Sequence, residues 1–200
     1  MPVFHSEIII LKILKYFCAV CLLLSMVHCT GTKRSLTEPG TGGYEDDLSS
    51  VKIQRDRAIA LENELIGLNP RSDGTEAKRL AETALQASAH LAEKYRLVRP
   101  PHLHNIFVQI GLRERGLCYH WTADLMHYLK NLQLRSFELR WGVAYRGSDL
   151  REHNTVVITS DGQSFSNGLV LDPWRHSGRL YWVVVADDTY PWHELPAEEW

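Results

Sequence analysis

Three side chains in this sequence could together carry out nucleophilic chemistry: Cys118, His153 and Asp172. Cys118 follows Gly116-Leu117 and opens the segment "CYHWTADLMHYL", where Leu125, Leu129 and then Leu132 recur at helical spacing. A thiol in the first turn of a helix feels the positive end of the helix dipole, which favours the thiolate, and the thiolate is the nucleophile. It needs an imidazole to manage its proton and a third group to orient that imidazole. His153 heads the segment "NTVVIT" and Asp172 ends "GLVLD", just before Pro173-Trp174. Each residue also has a plainer reading: a packed core cysteine, a strand-edge histidine bonded to a loop, an aspartate chosen for a turn. Their order on consecutive elements favours a Cys-His-Asp arrangement over three coincidences.

The other histidines do not compete. His120 lies two residues past Cys118, so on a helix it points away from the thiol and reads as a surface or packed residue. His102-x-His104 with Cys118-x-His120 could be imagined around zinc, but no spacing rule demands it. The sequence has no H-E-x-x-H and no paired CxxC motifs. No metal and no cofactor are expected.

The elements that must position these residues show as a change of hydrophobic period. Ile53, Ala58, Leu61, Leu65 and Leu68 approximate one helix over 51–68. Leu80, Ala84, Ala87, Leu91 and Tyr95 line a second, capped by Asp73 or Thr75 and stopped by Pro100-Pro101. A shorter helix over 102–115 is closed by Gly116, which offers positive φ or close backbone approach. Beyond the Cys118 helix, "SFELRWGVAY", "NTVVITS", "GLVLD" and "LYWVVVA" are β-branched and aromatic, with turn signals between them. Helices first and strands later, without βαβ alternation, predict an α+β fold: N-terminal helices, then an antiparallel sheet packed on the cysteine-bearing helix. Two adjacent strands joined through Asp161-Gly162 would bring His153 beside Asp172, with His153 facing that helix.

At 200 residues, 44% hydrophobic and 23% charged, the chain suits one globular domain plus a targeting segment. A net charge of −2 supplies no basic field, so nucleic-acid binding has no electrostatic support. Lys12 and Lys15 precede an uncharged run from Tyr16 to Val27, then Cys29 and small residues. That run is short of the roughly 20 apolar residues of a membrane span, and the pattern over 1–29 describes an export signal. Cys29 is a lipidation candidate, although Val27 and His28 are not the small residues expected before an acylated cysteine; plain cleavage or a retained anchor stay open. The polar stretch 30–50 reads as a flexible tether and 51–200 as a single domain. An exported domain, periplasmic or a membrane-anchored lipoprotein, would retain Cys118 alone, a thiol without a disulfide partner in an oxidising compartment.

Gly116-Leu117-Cys118 at a helix start, His153 at a strand start, Leu171-Asp172-Pro173 at the end of the next strand and Trp121 three residues past the cysteine carry a resemblance. From about Leu103 to Val185 the chain resembles the transglutaminase-like branch of the papain-like cysteine-protease superfamily, in a bacterial exported form. Thr155 stands where that family usually has an aromatic residue. The resemblance implies acyl transfer at an amide: Cys118 attacks and forms a thioester, His153 moves the proton, and Asp172 holds the imidazole tautomer. Oxyanion donors would be the Cys118 backbone N–H and the side chain of Gln109 or Asn105, and Trp174 and Trp121 would line the substrate cleft. The partner would be a peptide or protein amide, including those of the cell envelope. Since the family includes inactive members, the alternative is a non-catalytic peptide- or envelope-binding module on the same fold.

Overall fold

The change of sequence period near residue 136 is a change of layer. In the computed structural model, which describes residues 42–200, four helices precede five strands. The helices are α1 (Gly42–Gly67), α2 (Gly74–Lys94), α3 (Pro101–Gln109) and α4 (Cys118–Lys130). The strands are β1 (Phe137–Ala144), β2 (His153–Ser160), β3 (Leu169–Asp172), β4 (Tyr181–Val184) and β5 (Trp192–Leu195). All neighbouring strands are antiparallel, in the order β4-β3-β2-β1-β5. The fold is α+β, helices against one face of an antiparallel sheet.

The export segment over 1–29, with Cys29, lies outside the described residues, as does most of the stretch expected as a tether. Within that stretch, α1 already begins at Gly42. Once nucleated, a helix extends at one hydrogen bond per residue and needs no apolar stripe to do so, so hydrophobic periodicity under-reads its start. Among the described residues no helix is long and apolar enough to cross a membrane.

The two faces of the sheet have separate cores. Val156, Ile158, Leu169 and Leu171 pack with Leu125, Met126 and Leu129 of α4, Leu80 and Ala84 of α2, and Leu61 and Leu65 of α1. Burying each leucine of this cluster contributes roughly 1.5–3 kcal/mol relative to leaving it exposed, and this fixes α4 against the sheet. On the opposite face Ala144, Val157 and Val170 pack with Val185 and Trp192. Central β2 is therefore buried along its whole length, which is why "TVVIT" reads as a continuous apolar run.

Local signals set the helix ends. Asp73 caps α2, its Oδ1 accepting the N–H of Thr75 at 2.7 Å and of Glu76 at 3.0 Å. Pro101 occupies the first position of α3, where its missing N–H costs nothing. That helix stops at Gln109 instead of reaching Arg115, and Gly111 turns the chain at φ +77°. Strand β5 has no forewarning in sequence: it is four residues after Pro191, with exposed His193 and Glu194. It pairs the edge of β1, Trp141 opposite Leu195 and Ala144 opposite Trp192.

Candidate active site

Cys118 is the first residue of α4, and the chain entering it is clamped from three sides. The Trp121 indole N–H donates to Gly116 O at 3.0 Å. His120 Nδ1 accepts the N–H groups of Gly116 and Leu117 at 3.2 and 3.3 Å, supplying the cap that Leu117, with no side-chain acceptor, cannot. Burial and the neighbouring Arg115 charge hold the His120 pKa below its ordinary value, against the pull of Asp124, which suits an acceptor nitrogen. Behind Gly116 stands buried His104, with Nδ1 accepting from Val98 N–H at 3.2 Å and Nε2 bonded to Arg115 O at 2.8 Å. Gly116 adopts φ +125°, and a Cβ there would lie 2.1 Å from His104 Nε2. Of the two uses open to this glycine, ending a helix or allowing close approach, the structure shows the second.

His153 opens β2 and Asp172 closes β3. Val156 pairs with Leu171 across these strands, so continuing the register sets Asp172 opposite Thr155 and diagonal to His153 on the same face. His153 Nε2 lies 2.6 Å from Asp172 Oδ2, so Nδ1 is the ring nitrogen that Asp172 does not engage. Thr155 donates its hydroxyl to Leu171 O at 2.9 Å and so fastens the same two strands.

The facing expected of His153 needs correction. Strand alternation places His153 with Thr155 and Val157, opposite Ala144, on the face away from α4. It meets Cys118 around the end of the sheet, where α4 begins and β2 begins, and both line one cleft of about 460 Å³. Asn154 faces α4, and its Nδ2 lies 3.8 Å from Cys118 Sγ.

Sequence reasoning missed three members of this site. Arg175 donates from its backbone N–H to Asp172 Oδ1 at 3.0 Å and from Nε to Oδ2 at 3.1 Å. The same guanidinium forks onto Asp188 at 3.0 and 2.8 Å, and Asp188 also accepts the Trp192 indole N–H at 2.8 Å. Asp172-x-x-Arg175 was a usable signal, since a side chain three residues on can fold back across a turn. Asp188 and Asn154 carry no pattern.

Electrostatics follow from this wiring. Burial pushes the His153 pKa down, but the Asp172 carboxylate, its hydrogen bond and the Cys118 thiol outweigh it and carry it up to about 9. The ring also sits among Trp174, Tyr190 and Trp192, with centroids 4.7, 5.0 and 5.4 Å away, and aromatic faces favour a cation. Burial would raise the Asp172 carboxyl, yet His153 and Arg175 hold it below the usual range. Both shifts favour the charged forms, imidazolium on His153 and carboxylate on Asp172.

The remaining candidates divide. Trp174 and Asn105 line the cleft, and the Trp174 indole N–H donates to Asn105 Oδ1 at 3.1 Å. An indole nitrogen can only donate, so Asn105 turns its NH₂ away from Trp174 and keeps it available as a donor. Gln109, one turn later on α3, is exposed and does not line the cleft. Trp121 is 1% exposed, packed with Leu91, Tyr95 and Trp174, and so supports the cysteine loop instead of lining the cleft. Apolar spacing alone could not distinguish these two fates for an indole. No group of three metal-ligating side chains comes together among the described residues. A larger groove of about 610 Å³ between α1 and α2 is lined by residues such as Ala58, Ile59, Lys78 and Leu85 and offers no cysteine, serine or threonine. Compared with family models, curated proteins and solved structures, the chain matches none.

Proposed function

We propose that this protein is an exported cysteine-dependent acyl-transfer enzyme acting on amide bonds of peptides or proteins, as a hydrolase or a transglutaminase. The observation that carries the reading is one cleft shared by Cys118 and His153, with the ring bonded at Nε2 to buried Asp172. Cysteine at a helix start, histidine at a strand start and aspartate at the end of the next strand also fit a transglutaminase-like core. The export-type segment over 1–29 supports export, to the periplasm after plain cleavage or to a membrane anchor through Cys29 or an uncleaved segment.

The chemistry runs through the chain's own groups. The Cys118 thiolate attacks the amide carbonyl carbon; a C–S bond forms and the oxygen takes the negative charge. The Cys118 N–H, in a first turn without intrahelical acceptors, and Asn105 Nδ2 receive that charge. Collapse breaks the C–N bond, and the nitrogen leaves with the proton from His153 Nδ1. Water, or a primary amine in cross-linking, gives its proton to the same nitrogen as it attacks the thioester, and the thiolate departs. Asp172 holds the ring throughout.

Iodoacetamide labelling at pH 7, mapped to the Cys118 peptide, tests the reading. Labelling should outpace a free cysteine and should slow in His153→Ala. An ordinary rate, unaltered by that substitution, would leave Cys118 a packed cysteine and favour a non-catalytic binding module.

A further inference from the structure

We propose that Asn154 is a second donor to the Cys118 sulfur, one that does not titrate and stabilises the nucleophile from the helix-facing side of the sheet. The inference rests on Cys118 being the nucleophile.

Asn154 is buried at the second position of β2, its backbone paired with Val143. The Trp141 indole N–H reaches its Oδ1 at 2.7 Å. Because an indole nitrogen offers only a hydrogen, the amide has one permissible orientation, and Nδ2 must point the other way. There it lies 3.8 Å from Cys118 Sγ and 3.4 Å from Glu152 Oε1, so both acceptors are within its reach. Glu152 is itself held, its Oε2 accepting Gly147 N–H at 2.7 Å.

The sulfur thus has a partner for each protonation state. As a thiol it can donate to Glu152 O at 3.8 Å. As a thiolate it can accept from Asn154, because a hydrogen bond to the charged form favours that form. The titratable and charged groups lining the same cleft are His102, Tyr145, Arg151, Glu152, His153 and Tyr190. Asn154 adds its donor whatever their charge.

Iodoacetamide rates at Cys118, measured from pH 5 to 10, test the role in wild type, Asn154→Ala, Asn154→Asp and His153→Ala. Rates are taken on the folded fraction isolated by size exclusion, so that lost yield does not enter them. Asn154→Ala should label roughly tenfold more slowly near pH 6–7, a hydrogen bond to a charged group being worth about one such factor or more. The deficit should shrink as the pH rises, because at high pH the sulfur is a thiolate with or without the amide donor. Asn154→Asp, of equal size but acceptor-only and anionic, should lose more than Asn154→Ala. A deficit equal at every pH, or none, with His153 dependence intact in the wild type, overturns the inference and leaves the enzyme reading standing. A wild-type rate that is ordinary and independent of His153 overturns both.

Discussion

His153 Nε2 lies 2.6 Å from Asp172 Oδ2, and both side chains project from the sheet face that α4 leaves uncovered. The hydrogen-bond partners of Asp172 are the His153 ring and Arg175. Its work is on the ring: it fixes which nitrogen faces the cleft and holds the imidazolium. Asp172→Asn should therefore lower amide turnover by roughly 100- to 10,000-fold, the span of general acid–base catalysis, while slowing Cys118 alkylation much less. Parallel turnover and alkylation assays check this; equal losses in both would assign Asp172 to the thiol instead.

The same pair makes stability depend on pH in two directions. His153 is raised to about 9 in the fold despite burial, by Asp172 and Cys118. Its contribution is complete below the unfolded value of roughly 6.5 and is lost as the pH climbs through about 9. Asp172 is depressed against its burial penalty by His153 and Arg175. Its contribution is present above the unfolded carboxyl value of roughly 3.9 and is lost as the pH falls through its lower folded value. Thermal unfolding followed by circular dichroism should show a Tm plateau at about pH 5–7 with a decline on either side. His153→Asn should flatten the alkaline decline.

Arg175 joins two carboxylates that are both nearly inaccessible, with side-chain exposures of 1% for Asp172 and 1% for Asp188. Removing one member of a buried ionic network leaves uncompensated charge, at a cost of about 3 kcal/mol or more. Arg175→Met should lower unfolding free energy by that order in urea titrations. A loss below about 0.5 kcal/mol, the usual range for surface substitutions, would mean the network is structurally idle.

Much of this site was legible because its members sit at element boundaries, and boundaries are written in local chemistry. A glycine before Cys118, a β-branched run after His153 and a proline after Asp172 each mark where an element begins or ends. What joins distant residues was not legible. His153 reaches Cys118 around the sheet end, whereas the order of elements suggests a direct meeting across one face, and a strand buried on both faces gives no alternation to correct it. Asp188 stabilises the site through Arg175 and Trp192, a contact set by folding alone. Gln109 and Asn105 are chemically alike and one turn apart, so only the placement of α3 separates them.

That separation has a kinetic consequence. Asn105 lines the cleft with its Oδ1 occupied by Trp174, whereas Gln109 is exposed. Loss of one oxyanion donor costs roughly 100- to 1,000-fold in kcat. Asn105→Ala should show a loss of that order with KM little changed, and Gln109→Ala should behave as wild type. A kcat loss in Gln109→Ala instead would reassign the donor.

Gly116 provides the most severe test of how the cysteine is positioned. At φ +125° an L side chain is strained, and a Cβ would stand 2.1 Å from His104 Nε2, within a buried ring held at both nitrogens. Gly116→Ala must displace either the histidine or the loop that ends at Cys118. It should destabilise the fold by more than about 2 kcal/mol, through backbone strain and a disrupted buried hydrogen bond together. The two causes separate in a double-mutant cycle. In a His104→Ala background the steric conflict is gone and only the strain remains, so Gly116→Ala should cost about 1–3 kcal/mol there, the range for a residue held in a sparsely populated backbone region, and less than in wild type. Urea titrations of the four proteins give the coupling directly. If Gly116→Ala costs the same in both backgrounds, His104 is not the post against which the cysteine loop is set.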